Sequence, residues 1–354
     1  MKTVHCFPWV KQSSVLGFGT TSFMSADSTQ ERLALLETAY DCGITHFDTA
    51  AYYGYGEAER LLGRFCAGKR DKVTITTKFG IEPSGVVKAR WINLLARKVL
   101  KLAPFVKKML RRGAPQSGSA WGVFDPEKAK ASLERSLAAL QTDYIDLFLL
   151  HEPTVESAAS QPLIGFLEAE VKKGIIRAYG CGGEWGQIKQ IAASELPTSH
   201  WLQFEDNPIF RHLEDAESNG AKCITFAPFN TALPVLVDWL SQRPEQQSQW
   251  SKELGVDCSD KGNLAMLLQA GSHARNHKGI VLFSSKNADR IRQAARVASG
   301  EVFSADQVER FLELTEEIAK AETLRFPKWI PIPLRPSLSA GEFRKGTRAE
   351  SLRR

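Results

Sequence analysis

From residue 14 onward the chain alternates short apolar or β-branched runs with amphipathic stretches of helical period, and that alternation leaves few folds open. Strand-like runs occur at 14–19, 44–47, 73–77, 144–150, 175–180, 201–204, 222–227 and 279–283. Helical spacing follows at 28–42, 56–66, 126–140, 156–173, 185–194, near Leu213, on to about residue 269, then at 287–298 and 304–321. Asp125-Pro126 reads as an N-cap with proline at the first helical position, Ser304 as a second N-cap, and Gly174 as a helix stop. Counted from Ile44, seven or eight strand–helix units follow one another. Strands that alternate with helices pair in parallel through helical crossovers, and eight such units close into a barrel. The expected fold is therefore α/β: a (β/α)8 TIM barrel over residues 1–324. A basic helical loop (81–124) enlarges the connection after the third strand, and a C-terminal extension (325–354) starts proline-rich and then turns polar and partly disordered.

Composition narrows the function classes. With 43% hydrophobic and 24% charged residues the chain has ample apolar surface for a core. The net charge of +6 is unevenly placed: residues 86–112 hold nine basic and no acidic residues, 325–354 hold eight basic and two acidic, and the remainder carries −9. A mildly acidic body with two basic appendages is not a nucleic-acid footprint. The six cysteines are scattered without a C-x-x-C pair, which fits free thiols in a reduced, cytoplasmic setting. Met1 to Gly17 lacks the apolar run of a secretion signal, and no stretch reaches the length of a spanning helix.

Asp48 follows the strand at 44–47, Tyr53 stands five residues on in a glycine-rich loop, Lys78 ends the run at 73–77, and His151 ends the run at 144–150. Each alone has an ordinary structural reading, as a cap, a packing ring or a solvated lysine. In a barrel all four reach one mouth, the end where catalytic groups gather. Their joint chemistry is definite. A phenol holds its proton to about pH 10, and a neighbouring ammonium stabilises the phenolate. A buried lysine needs a carboxylate to stay charged, and a histidine beside the phenol can polarise a carbonyl or share its proton. Together they make an acid that protonates an oxygen as hydride reaches its carbon.

The segment Phe47-Asp48-Thr49-Ala50-Ala51-Tyr52-Tyr53-Gly54-Tyr55-Gly56-Glu57-Ala58-Glu59-Arg60-Leu61-Leu62-Gly63 resembles the aldo-keto reductase signature D-T-A-x-x-Y-G-x-G-x-S-E-x-x-L-G. Thr76-Thr77-Lys78 and Leu149-Leu150-His151, with Asp143-Tyr144-Ile145-Asp146-Leu147 ahead of it, look like that family's lysine and histidine motifs. The resemblance covers about residues 14–322. It implies an eight-stranded barrel that binds NADPH in extended form without a dinucleotide-binding domain. It makes Tyr53 the general acid, Lys78 the group that tunes it, Asp48 the partner of Lys78, and His151 the residue that orients the substrate, a small carbonyl compound or, in reverse, an alcohol.

The resemblance also implies a cofactor site. Gln203 falls where the family glutamine holds the nicotinamide carboxamide, and Phe226 where a tyrosine commonly stacks on the ring. Gly182 and Gly183 stand where the family has Ser-Asn, so two side-chain contacts to the carboxamide are missing. Ser285, Asn287 and Arg290 resemble the adenosine 2′-phosphate site, with Ser284 where some members carry lysine and Lys286 beside it. Serine, lysine and arginine at a helix start suit a phosphate, which favours NADP(H) over NAD(H).

Gly180-Cys181-Gly182-Gly183-Glu184-Trp185 follows a strand and precedes a helix, but Trp185 stands where a dinucleotide fingerprint needs its third glycine. His273 and His277 are four apart without the glutamate of a zincin or a third ligand, so no metal site is expected. Cys181 and Cys223 read as buried packing. Residues 86–112 place apolar side chains at helical spacing among lysines and arginines, with Pro104 splitting the run. Such a segment suits a lid on the barrel mouth, a peripheral membrane contact, or a protein contact.

Overall fold

Eight short parallel strands carry the architecture of the computed structural model, which describes residues 1–10, 12–26, 28–82, 120–218 and 220–325. They are β1 (Leu16–Gly19), β2 (His46–Asp48), β3 (Thr74–Phe79), β4 (Ile145–His151), β5 (Ile176–Gly182), β6 (Trp201–Glu205), β7 (Lys222–Phe226) and β8 (Ile280–Phe283). Each pairs in parallel with the next, and β8 pairs back onto β1, so the sheet closes in sequence order. The expected barrel is what the chain forms. The basic segment between Ile81–Glu82 and Ala120–Trp121, which pair antiparallel after β3, lies outside the described residues, as does the tail beyond Arg325.

Helices ring the strands: α1 (Thr29–Asp41), α2 (Glu57–Cys66), α3 (Pro126–Leu140), α4 (Val155–Ala158), α5 (Gln161–Lys172), α6 (Trp185–Ala192) and α7 (Leu213–Glu217). After β7 come α8 (Ala232–Ser241), α9 (Pro244–Leu254) and α10 (Lys261–Arg275), and after β8 come α11 (Ala288–Ser299), α12 (Ala305–Leu314) and α13 (Glu316–Arg325). Two expected helices divide. The 156–173 stretch breaks before α5, where Ser160 is extended and Pro162 occupies the first turn, and the 304–321 stretch breaks at Thr315. Local chemistry sets the starts: Ser28 and Ser304 each form a reciprocal capping box, with Glu31 and Gln307, and the Asp125 carboxylate caps α3 ahead of Pro126.

The strands alternate their side chains between the barrel interior and the helix layer. Phe47, Ile75, Phe148, Leu202 and Phe204 join the main core with Leu61, Leu62 and Leu133 of the helices. A second core forms where α8–α10 meet α12, around Trp250, Leu267 and Phe311. Gly63 lets α2 lie directly on α3, because a Cβ there would meet Ala139 O at 2.6 Å and Leu140 O at 2.7 Å.

The N-terminal end of the barrel is stoppered. Thr3–Val4 pairs antiparallel with Ser13–Ser14, and the loop between them sends Phe7 inward. Phe7 is 1% exposed and stacks on Trp201 at 4.9 Å and on His46 at 5.4 Å. Burying a ring of that size stabilises the fold by roughly 1.5–3 kcal/mol. Trp9 donates its indole N–H to Asp146 at 3.1 Å, so the plug is also tied to β4. Phe7 and Trp9 thus fill this end of the barrel, opposite the C-terminal ends of the strands.

Candidate active site

At the C-terminal rim, β2 supplies Asp48, β3 supplies Lys78, β4 supplies His151, and the turn after β2 supplies Tyr53. Asp48 and Lys78 are buried at 4% and 3% exposure. The Lys78 ammonium donates to Asp48 Oδ1 at 2.7 Å, to Asp48 Oδ2 at 2.8 Å and to the Thr49 carbonyl at 2.9 Å. These contacts hold the ammonium in place within the rim. Burial alone pulls the lysine pKa down, but Asp48 and Tyr53 together outweigh it and hold the group above its ordinary value.

Tyr53 lies beside this pair. The Lys78 nitrogen is 5.3 Å from the centre of the tyrosine ring, and the phenol is within hydrogen-bonding reach of the ammonium. The rings of Tyr53 and His151 meet edge to face, 6.0 Å apart at 85°. The turn that places Tyr53 has left-handed backbone at Gly54 and Tyr55, both at φ +57. Glycine at 54 meets that requirement without strain and also leaves room for the methyl end of Met24, which any Cβ would strike.

His151 keeps an edge exposed at the rim, yet the surrounding protein and the Lys78 charge push its pKa down to about 3. His46 lies deeper in the same interior, with Nδ1 2.9 Å from the Thr74 hydroxyl, and burial and Lys78 push it also to about 3. Both imidazoles are therefore neutral at physiological pH. A neutral imidazole keeps one N–H with which to polarise a carbonyl oxygen.

The residues expected to hold a cofactor fall in two groups on the same rim. Gln203 points inward from β6 and donates its Nε2 to Asp48 Oδ2 at 2.7 Å, which leaves Oε1 as an acceptor. Gly182, at the end of β5, pairs in register with His151 on one side and Gln203 on the other. Phe226 ends β7, half-buried, just before Ala227 at φ +55. The second group surrounds the start of α11. Ser284 accepts from Ser22 N at 3.0 Å, and Ser285 accepts from Asn287 N at 3.1 Å. Asn287 caps the helix by accepting from Asp289 N at 2.8 Å and Arg290 N at 3.1 Å. Lys286 and Arg290 are exposed and form no ion pair among the described residues. Two exposed cations at the positive end of a helix dipole fit a dianionic phosphate.

The fold matches known proteins. Residues 15–316 match the model of the aldo/keto reductase family. The chain belongs to the aldo/keto reductase family. Among its relatives, an uncharacterised oxidoreductase of Bacillus subtilis (strain 168), YqkF, is 29% identical over 194 residues, 54% of this chain and 52% of that protein. A D-threo-aldose 1-dehydrogenase of a Pseudomonas species is 31% identical over 184 residues, 47% of this chain and 49% of that protein. The chain thus spans about half the length of these curated relatives. Among solved structures, the holo form of an aldo-keto reductase from Bacillus halodurans superposes with a TM-score of 0.64 at 20% identity, covering 90% of this chain and 99% of that one. A Klebsiella pneumoniae aldo-keto reductase in complex with NADPH gives 0.60 at 20% identity, covering 89% and 95%. At that identity the two structures speak for the barrel fold alone.

Other residues singled out in the sequence lie away from this rim or in the core. His273 is half-buried on α10, its two ring nitrogens buried with no hydrogen-bond partner among the described residues, whereas His277 lies beyond the helix end and is exposed. They do not share a helix face. Among the described residues no group of three potential metal ligands converges. All six cysteines are free, and Cys181 and Cys223 are buried, their thiols pushed up to about 12 and above the usual range by burial. Among the described residues no helix is long and apolar enough to cross a membrane.

Two acids near the rim residues have no role in the sequence reading. Glu59 is buried on α2 and accepts from the Thr77 hydroxyl at 2.7 Å, bracing the strand that carries Lys78. Glu152 follows His151 directly, with left-handed backbone at φ +57. Its one sequence signal was position, an acid immediately after a strand end.

Proposed function

We propose that this chain is an NADP(H)-dependent oxidoreductase that interconverts a small aldehyde or ketone and the corresponding alcohol, with Tyr53 as general acid in reduction and general base in oxidation. The observation that carries this reading is the Lys78 ammonium, locked on both oxygens of Asp48 and set against the Tyr53 phenol. A fixed positive charge at that distance stabilises the phenolate formed when Tyr53 gives its proton to a carbonyl oxygen. Asp48 keeps Lys78 protonated and immobile, so the tuning charge is in place before substrate arrives. His151, neutral beside the phenol, donates its N–H to the same oxygen and holds the carbonyl in line with Tyr53. When bound, the nicotinamide supplies or accepts the hydride at the carbonyl carbon. Ser285, Lys286 and Arg290 would hold the adenosine 2′-phosphate, and Gln203 and Phe226 the nicotinamide end. Lys286 and Arg290, exposed at the start of α11, support NADP(H) rather than NAD(H).

The test is fluorescence titration of the purified protein with NADPH and NADH, followed by turnover of an aldehyde panel. The expected result is tight NADPH binding with consumption that Tyr53→Phe abolishes while binding persists. Binding without turnover of any carbonyl or alcohol would replace this reading with that of a cofactor-sensing barrel.

A further inference from the structure

A side chain not carried by β5 itself lies across the two glycines at its end. The backbone N–H of Glu152 donates to the Gly182 carbonyl at 2.8 Å, and Gly183 N donates to the Gln203 carbonyl at 2.9 Å, so the three segments are held edge to edge. From its left-handed backbone Glu152 folds its carboxylate over Gly183. Oε2 accepts from Glu184 N at 3.0 Å, and a Cβ on residue 183 would lie 2.5 Å from the same oxygen. Any residue other than glycine at 183 would displace that carboxylate. Above Gly182 the neighbour is Gln203, whose Oε1 would lie 3.2 Å from a Cβ there.

The Gly182–Gly183 pair is therefore flanked by two acceptors, Gln203 Oε1 and the Glu152 carboxylate. Gln203 offers only its oxygen, since Asp48 takes its Nε2. Glu152, when ionised, offers only acceptors, and among the described residues no group donates to its Oε1. Two acceptors beside one glycine pair complement a group with two hydrogens on one nitrogen. On the reading that NADP(H) is the cofactor, we propose that Glu152 is a cofactor-binding residue. With Gln203 it receives the amide NH2 of the nicotinamide carboxamide, replacing the side chains absent at Gly182 and Gly183. A carboxylate acceptor makes a stronger hydrogen bond than a neutral one. Burial pushes the Glu152 carboxyl up to about 7; the Glu184 backbone N–H draws it down, the Glu184 charge adds to the rise, and Lys78 draws it down. Its other titratable neighbour, His151, is neutral there.

The experiment compares dissociation constants, by fluorescence, for NADPH and for its reduced 3-acetylpyridine analogue, which has a methyl where the carboxamide has NH2. It uses the wild type, Glu152→Ala and Gly183→Ala at about pH 8, where the carboxylate is ionised. Glu152→Ala is expected to weaken NADPH binding by roughly tenfold or more, the scale of a lost charged hydrogen bond, and to leave analogue binding within about twofold. Gly183→Ala keeps the carboxylate but pushes it aside, and is expected to show the same selective loss. Thermal melting checks that both variants fold. Unchanged NADPH affinity in both, or an equal loss for the two dinucleotides, overturns the assignment while leaving the cofactor reading intact. A wild type that binds neither dinucleotide overturns both.

Discussion

Lys78 and Asp48 form a two-oxygen ion pair, at 2.7 and 2.8 Å, in which both partners are almost wholly removed from water. Desolvating two charges is costly, and attraction between them offsets that cost only while both are present. Asp48→Ala should therefore destabilise the protein by about 3–5 kcal/mol, because an unpaired ammonium remains buried. The double variant Asp48→Ala with Lys78→Met should recover much of that loss yet stay inactive. Urea unfolding and turnover on the same preparations measure both. A double variant no more stable than the single one would show that the pair is not the source of the loss.

The neutral histidines of the interior give stability a defined acid limb. Free imidazole titrates at about 6.5, whereas His46 and His151 are both pushed to about 3 by burial and by Lys78. Between those values the unfolded chain binds more protons than the folded one, so stability falls as pH drops below about 6.5. Each histidine should remove about 2 kcal/mol by about pH 5. Unfolding midpoints across this range should fall less steeply in His46→Asn, which cannot titrate.

Glu152 works in the opposite direction. Its carboxyl is raised from 4.5 to about 7, chiefly by burial, so the folded chain holds the proton longer than the unfolded one. Stability without cofactor should therefore decline as pH rises from about 4.5 to about 7, by up to about 3 kcal/mol from this group. Glu152→Gln should flatten that decline and melt higher than the wild type at neutral pH. A parallel pH profile for the two proteins would count against the burial argument.

Arg290 is exposed at the start of α11 without an ion-pair partner among the described residues. Replacing it by alanine should leave folding unchanged and weaken NADPH by roughly tenfold or more, the scale of a charged hydrogen bond. NADH, which lacks the 2′-phosphate, should bind as before. Equal effects on both dinucleotides would place the phosphate elsewhere.

Gly63 offers a test of the fold alone. A Cβ there meets the backbone of α3 at 2.6 Å, and backbone cannot swing away as a side chain can. Gly63→Ala should cost about 1–3 kcal/mol through displacement of α2 against α3. A melting temperature equal to the wild type would mean the helices separate freely.

Much of this was legible in one dimension. The eight strand positions, Asp125 and Ser304 as caps, and the four ionisable residues at strand ends could all be named from local pattern. The helix breaks before α5 and at Thr315 were missed, because an amphipathic period continues across both and hides a turn that packing imposes. The first 13 residues carried no readable period. Their role as a plug exists only because Phe7 meets Trp201 and His46, which lie far along the chain.

The sequence by itself determined the alternation of strand and helix, and so the barrel, because period and capping are properties of neighbouring residues. It also determined which residue types stand at the strand ends. Only the tertiary structure decided how those ends are wired. Asp48 serves Lys78 and Gln203 together, across 30 and 155 residues of chain. Glu152 fills the space that Gly183 leaves open, 31 residues further on. The physical reason is closure: a closed parallel barrel brings the ends of strands far apart in sequence within hydrogen-bonding distance, and local pattern carries no record of that distance.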